Sequence, residues 1–178
     1  TATETTKSVV ATNANGAELV LTAAQQAAIE NAFTITPSTT NTNNGTINWN
    51  YSIAEGHLNF LAAGENVTAV FTVTVIDNNG STLTQDVTVI ISATNDAAVL
   101  TVTDVAGVIT EGSALSDAGS IAFADLDLTD RPTATETTKS VVATKAGGTE
   151  LLLTAAQQAA IENAFTITPS TTNTNNGT

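Results

Sequence analysis

VTAVFTVTVIDNNGSTLTQDVTVIISA, residues 67–93, decides the fold. Val67, Ala69, Phe71, Val73 and Val75 fall on one face and Thr68, Thr72 and Thr74 on the other, the period of two of a half-buried strand. Leu83, Val87, Val89, Ile91 and Ala93 alternate in the same way with Thr84, Asp86, Thr88 and Ser92. Between the two runs, Asp77 to Gly80 ends in an Asn-Gly pair that hairpin turns favour. Working outward, Ile47, Trp49, Tyr51 and Ile53 alternate with Asn48, Asn50 and Ser52, which places the sole Trp and Tyr on a core-facing row. Shorter strands are expected at 5–12, 17–21, 33–36, 100–105, 108–110 and 119–124. LTAAQQAAIENAF, at 21–33 and again at 153–165, breaks the pattern with helix formers, and Thr22 with Gln25 has capping-box spacing. Ala28, Ile29, Ala32 and Phe33 give that helix a narrow apolar stripe to lay against a sheet edge. The expected class is all-β: antiparallel sandwiches with one short helix each.

Residues 1–46 recur at 133–178, an offset of 132, with 42 of the 46 positions identical. The differences are Asn13/Lys145, Asn15/Gly147, Ala17/Thr149 and Val20/Leu152. A period this long exceeds solenoid units, so each repeat is expected to own a core. The turn-rich ATNDAAVL at 93–100 marks the junction. On that phasing residues 1–97 are the later part of one repeat and 98–178 the earlier part of the next. With no Met at its start and a Thr/Asn run at its end, the chain reads as an excerpt cut out of frame. A neighbouring copy is then expected to supply the missing strands, through a continuous polymer or by end-to-end complementation between chains.

Lys plus Arg total 4 against 17 Asp plus Glu, a formal charge of −13. Lys7, Arg131, Lys139 and Lys145 cannot build a basic groove, which excludes nucleic acid as a partner. With Cys and Met both absent there are no disulfides, thiolate nucleophiles or zinc-thiolate sites, leaving hard cations held by oxygen as the available metal chemistry. No apolar run is long enough to span a bilayer, and TATETTKSVVAT lacks the head and core of a signal peptide, so no direct membrane insertion is expected. His57 is the only histidine, no Walker, HExxH or dinucleotide motif occurs, and aromatics are 4% of the chain. The expectation is a protein that is not an enzyme.

FADLDLTD, 123–130, is the most chemically suggestive string. Strand alternation points Asp125 and Asp127 the same way, with Asp130 close behind. Carboxylates held that close repel unless a proton or cation intervenes, and calcium takes 6–8 oxygen ligands, so the string points to a calcium site; a solvated acidic loop is the alternative. An EF-hand does not fit. Glu136 falls twelfth from Asp125, but the sixth position is Asp130 instead of Gly and Pro132 follows.

TEGSALSDAGSIAFADLDLTD (110–130), LNFLAAGENVTAVFTVTVIDNNGSTLTQDVTVIISATND (58–96) and the ATNDAAV junction together resemble the VCBS-type repeats of giant bacterial surface adhesins, over nearly the whole period. One departure is Ala98, where that family usually has Pro. The resemblance implies tandem Ig/cadherin-like sandwiches in an extracellular, repeats-in-toxin-type adhesin, secreted or held at the bacterial cell surface. It implies calcium near the junctions, bound by Glu111, Asp125 and Asp127 together with Asn95 and Asp96. Asp130 is added from the same acidic string, with Asp77, Asp104 and Glu136 as further carboxylates. The function expected is a calcium-rigidified extender that projects distal binding domains, its partners being neighbouring repeats of its own kind. The alternative is a repeat that itself binds glycans or neighbouring repeats, giving avidity through many weak contacts.

Overall fold

A computed structural model of the chain describes residues 1–37, 44–77, 79–169 and 174–178. It divides into two compact units, Thr1–Val99 with Ala124–Asp130, and Leu100–Phe123 with Arg131–Thr178. Among the described residues antiparallel strands dominate, with two short α-helices, which is compatible with an all-β fold. No helix among the described residues is long and apolar enough to cross a membrane.

In chain order the first unit holds β1 (Ala2–Thr12), β2 (Glu18–Leu19), α1 (Ala23–Asn31), β3 (Phe33–Pro37), β4 (Ile47–Tyr51), β5 (Asn66–Ile76) and β6 (Thr82–Ser92). The four-stranded sheet has the order β2-β1-β5-β6, and β3 and β4 form a separate hairpin. The hairpin expected at 67–93 is present, running in unbroken register from Asn66↔Ser92 to Ile76↔Thr82. Its turn closes because the Asp77 carboxylate accepts the backbone N–H groups of Asn79 and Ser81, while Gly80 takes a φ of +86°.

β1 starts earlier than the expected 5–12 and carries a bulge. Thr6 lies opposite Phe71 but Ser8 opposite Val70, so Lys7 is the extra residue. The bulge changes which parity faces inward, from Thr6 before it to Val9 and Ala11 after it. Lys7 reaches past β5 to pair with Asp86 on β6, which also accepts from Thr72 Oγ1.

The core lies on one face of the sheet. Val67, Ala69 and Phe71 are fully buried and Val73 nearly so, packed with Ile29 of α1, Phe33 of β3 and Leu61. Phe33 stacks on Phe71 at 4.2 Å between centroids. α1 is shorter than the 21–33 expected, but the Thr22/Gln25 capping box forms in full and Ile29 is the residue it buries.

Two expectations about β4 and its surroundings need correction. Trp49 does lie on the row facing the sheet, yet it is 54% exposed, because cover fades along β5 from Phe71 at 0% to Val75 at 38%. Leu83, expected on the buried row of β6, is 73% exposed for the same reason.

The second unit carries all but the first residue of β7 (Val99–Asp104) and all but the last of β8 (Ser120–Ala124), which form a three-stranded sheet with β9 (Asn176–Gly177), and α2 (Ala155–Glu162). The strand expected at 108–110 is absent; that stretch is exposed and non-regular, its ends tied by Val108 N–H to Asp117 Oδ2 and Thr110 N–H to Ala114 O. α2 repeats the capping box of α1 through Thr154 and Gln157. Residues 133–144, identical to β1, form no strand, and only Thr144 bridges to Glu150.

Candidate metal centre

Residues 124–130 lie within the first unit, beside the start of β5. Burial along them is inverted from the usual pattern. Asp125 is 8% exposed and Asp127 0%, whereas Leu126 and Leu128 between and after them are 57% and 50% exposed. A segment that turns leucines outward and carboxylates inward is working against both the hydrophobic effect and ionic desolvation.

The backbone accounts for how the segment is held. Asp127 N–H donates to Asp125 Oδ1 at 3.0 Å, a side-chain-to-backbone turn typical of aspartate. Asp130 N–H donates to Asp127 O at 3.2 Å, and Leu128 N–H to Phe60 O at 3.2 Å. Thr129 Oγ1 donates to Glu65 Oε1 at 2.7 Å. Asp127 Oδ2 accepts the backbone N–H of Asp96 at 2.9 Å, fixing the segment to the stretch that follows β6. Among the described residues Asp127 Oδ1, which is buried, has no hydrogen-bond partner.

Asp125, Asp127 and half-buried Asp130 each bring a carboxylate oxygen to within 4.8 Å of the others. Burial is the first cause that pushes the Asp127 carboxyl above the ordinary carboxylate range, with the charges of Asp130, Asp125 and Asp96 adding to it; the Asp96 N–H acts in the opposite sense. A bound cation answers all three features. It partners Oδ1, neutralises the repulsion and offsets the desolvation. The triad can therefore bind a metal ion.

The other expected ligands are placed as follows. Asp96 joins through its backbone N–H. Asn95 is exposed, its Nδ2 donating to Asp96 O at 2.7 Å. Glu111 sits in an exposed turn of the second unit and is not among the converging carboxylates. Asp77 closes the β5–β6 turn, Asp104 accepts from Ala106 N–H, and Glu136 is exposed.

Glu65 escaped the sequence reading. It is 2% exposed, with Oε2 accepting Ala62 N–H at 2.9 Å and Oε1 taking the Thr129 hydroxyl. Its turn depends on Gly64, whose φ of +82° suits the third position of the bend closed by Glu65 N–H to Ala62 O. The signal was present: Glu65 shares the parity of Val67, Ala69 and Phe71, so strand alternation already points it inward.

A second feature of this unit is a groove of about 460 Å³ lined by Trp49, Ile47, Val75 and Leu83. Trp49 leans on Phe33, with centroids 6.0 Å apart and planes at 19°.

No family model matches the chain, and neither a curated protein nor a solved structure matches it.

Proposed function

We propose that the chain is a structural, calcium-rigidified repeat of a bacterial cell-surface adhesin or extracellular filament. The observation that carries this reading is Asp127: fully buried, one oxygen unpaired, two carboxylates beside it, and tied to the segment that leads out of β6. An oxygen-only site of this kind suits a hard cation, and calcium accepts the irregular mixture of carboxylates, carbonyls and water that such a loop offers. Filling it pins residues 124–130 against the end of the sheet, and a pinned junction turns flexible tandem repeats into a stiffer stalk. Near-identity of the repeated segments and the resemblance to VCBS-type repeats support a role that every copy performs alike.

Calorimetric titration is the test. We expect binding at about 10⁻⁴ to 10⁻³ M, as in extracellular calcium modules, with a raised melting temperature that a chelator reverses. Absence of both heat and thermal shift at millimolar calcium overturns the reading.

The exposed indole of Trp49 favours a second reading, in which the repeat itself offers an aromatic platform to a glycan. Acrylamide should quench Trp49 fluorescence strongly. Protection of that fluorescence by added glycan would support the second reading; quenching unchanged by a panel of sugars would remove it.

A further inference from the structure

A carboxylate buried as deeply as that of Glu65, 2% exposed, needs donors for both of its oxygens. One donor is local: Ala62 N–H reaches Oε2 at 2.9 Å within the bend that leads into β5. The other is the Thr129 hydroxyl, which reaches Oε1 at 2.7 Å from the middle of the acidic segment. Thr129 lies inside the turn that Asp130 N–H closes on Asp127 O, so a hold on its side chain fixes the acidic residues at both ends of that turn. Leu128 N–H to Phe60 O and Asp96 N–H to Asp127 Oδ2 help to dock the same segment. The hydroxyl bond differs from these. A hydroxyl donating to a carboxylate at this length is the stronger kind of hydrogen bond, and it uses no oxygen of the Asp125, Asp127 and Asp130 triad. Its acceptor is anchored in the sheet, because Glu65 O takes Ala93 N–H at 3.0 Å and Asn66, the next residue, opens β5.

We propose that Glu65 is a positioning residue for the ion site, acting through Thr129 to hold the triad converged before an ion arrives. Two forces push the metal-free segment outward. Three carboxylate oxygens within 4.8 Å of one another repel, and swinging out would relieve them. Leu126 and Leu128, 57% and 50% exposed, would gain cover if the segment turned over. The Thr129–Glu65 bond opposes both, and keeps the fully buried, unpartnered Oδ1 of Asp127 where a cation would meet it. Holding the ligands together beforehand removes their ordering cost from the binding step, so loss of the bond weakens binding without removing a ligand. The inference rests on the calcium reading for its ligand, whereas the docking of the segment is a property of the metal-free chain.

Thr129→Val removes the hydroxyl and keeps the branched shape; Thr129→Ser restores the hydroxyl. In the full-length chain, calorimetric titration should find the calcium dissociation constant raised about tenfold by Thr129→Val, the order expected for a hydrogen bond to a charged group, and brought back by Thr129→Ser. In chelator, the Asp96 amide reports docking through its bond to Asp127 Oδ2. Its hydrogen exchange should accelerate in Thr129→Val and recover in Thr129→Ser, while the amide of Ala69, in the middle of β5 with a strand on either side, stays as it was. An affinity that Thr129→Val leaves unchanged, or that Thr129→Ser lowers equally, overturns the proposal. So does Asp96 exchange indifferent to the valine, or acceleration that extends equally to Ala69 and marks a general loosening. Failure of the calcium reading shows separately, as the absence of heat from the unsubstituted chain, whereas the exchange of Asp96 in chelator needs no ion.

Discussion

Asp127 concentrates the physics of the site in one side chain. An unpaired buried acceptor costs roughly 1–3 kcal/mol, and a neighbouring pair of carboxylates adds repulsion. We expect Asp127→Asn to raise the metal-free stability at neutral pH, measured by urea denaturation in chelator, and to remove the calcium-dependent gain in melting temperature. A pH dependence follows from the raised Asp127 carboxyl. A carboxyl that holds its proton more tightly when folded than unfolded favours the fold while protonated, and that contribution is lost as pH rises through the folded-state value. Metal-free stability should therefore decline on moving up through the mildly acidic range, calcium should reverse the decline, and calcium binding there should release protons measurable by calorimetry in buffers of different ionisation heat. Asp125, Asp127 and Asp130 were legible as a cluster because three carboxylates in six residues announce themselves. Their inward orientation against exposed Leu126 and Leu128 was not, since hydropathy alone assigns the leucines to the interior. Glu65 was legible only by parity, and its partner Thr129 is far away in sequence.

Among the elements, α1 and α2 form alike in the two units, each with its Thr–Gln capping box. Their hydrogen bonds are local, so sequence suffices. Thr22→Ala should cost about 1 kcal/mol in urea denaturation; an unchanged midpoint would mean that packing of Ile29 alone holds α1. β1 behaves differently, since its bulge sets which residues face the core. Deleting Lys7 would set Ser8 directly after Thr6, leaving Thr6, Val9 and Ala11 together on the inner face of a regular ladder, and should cost no more in urea denaturation than Lys7→Ala, which removes only an exposed ion pair; a far larger loss would show that the bulge itself holds the first unit. The bulge could not be read beforehand because an extra residue shows itself only against the strand opposite.

Across the whole molecule, one sequence takes two conformations. TATETTKSVVAT is an eleven-residue strand over Ala2–Thr12 and lacks a strand at 133–144. Hydrogen exchange read by NMR, which separates the two copies, should find the amide of Val10, which bonds β5, protected and that of Val142 exchanging orders of magnitude faster. Equal protection would mean that the second copy pairs within its own chain. The sequence by itself determined what depends on near neighbours: the helices with their caps, the alternation and turn of the β5–β6 hairpin, the repeat, and the acidic string. Tertiary structure alone decided which copy of a repeated segment becomes a strand, where the bulge lies, how far Trp49 is covered and which way the carboxylates turn. The reason is the same in each case. A helix completes its backbone hydrogen bonds within itself, whereas a strand, a buried charge and a covered indole all require partners from elsewhere in the chain, and no short stretch of sequence states where those partners will be.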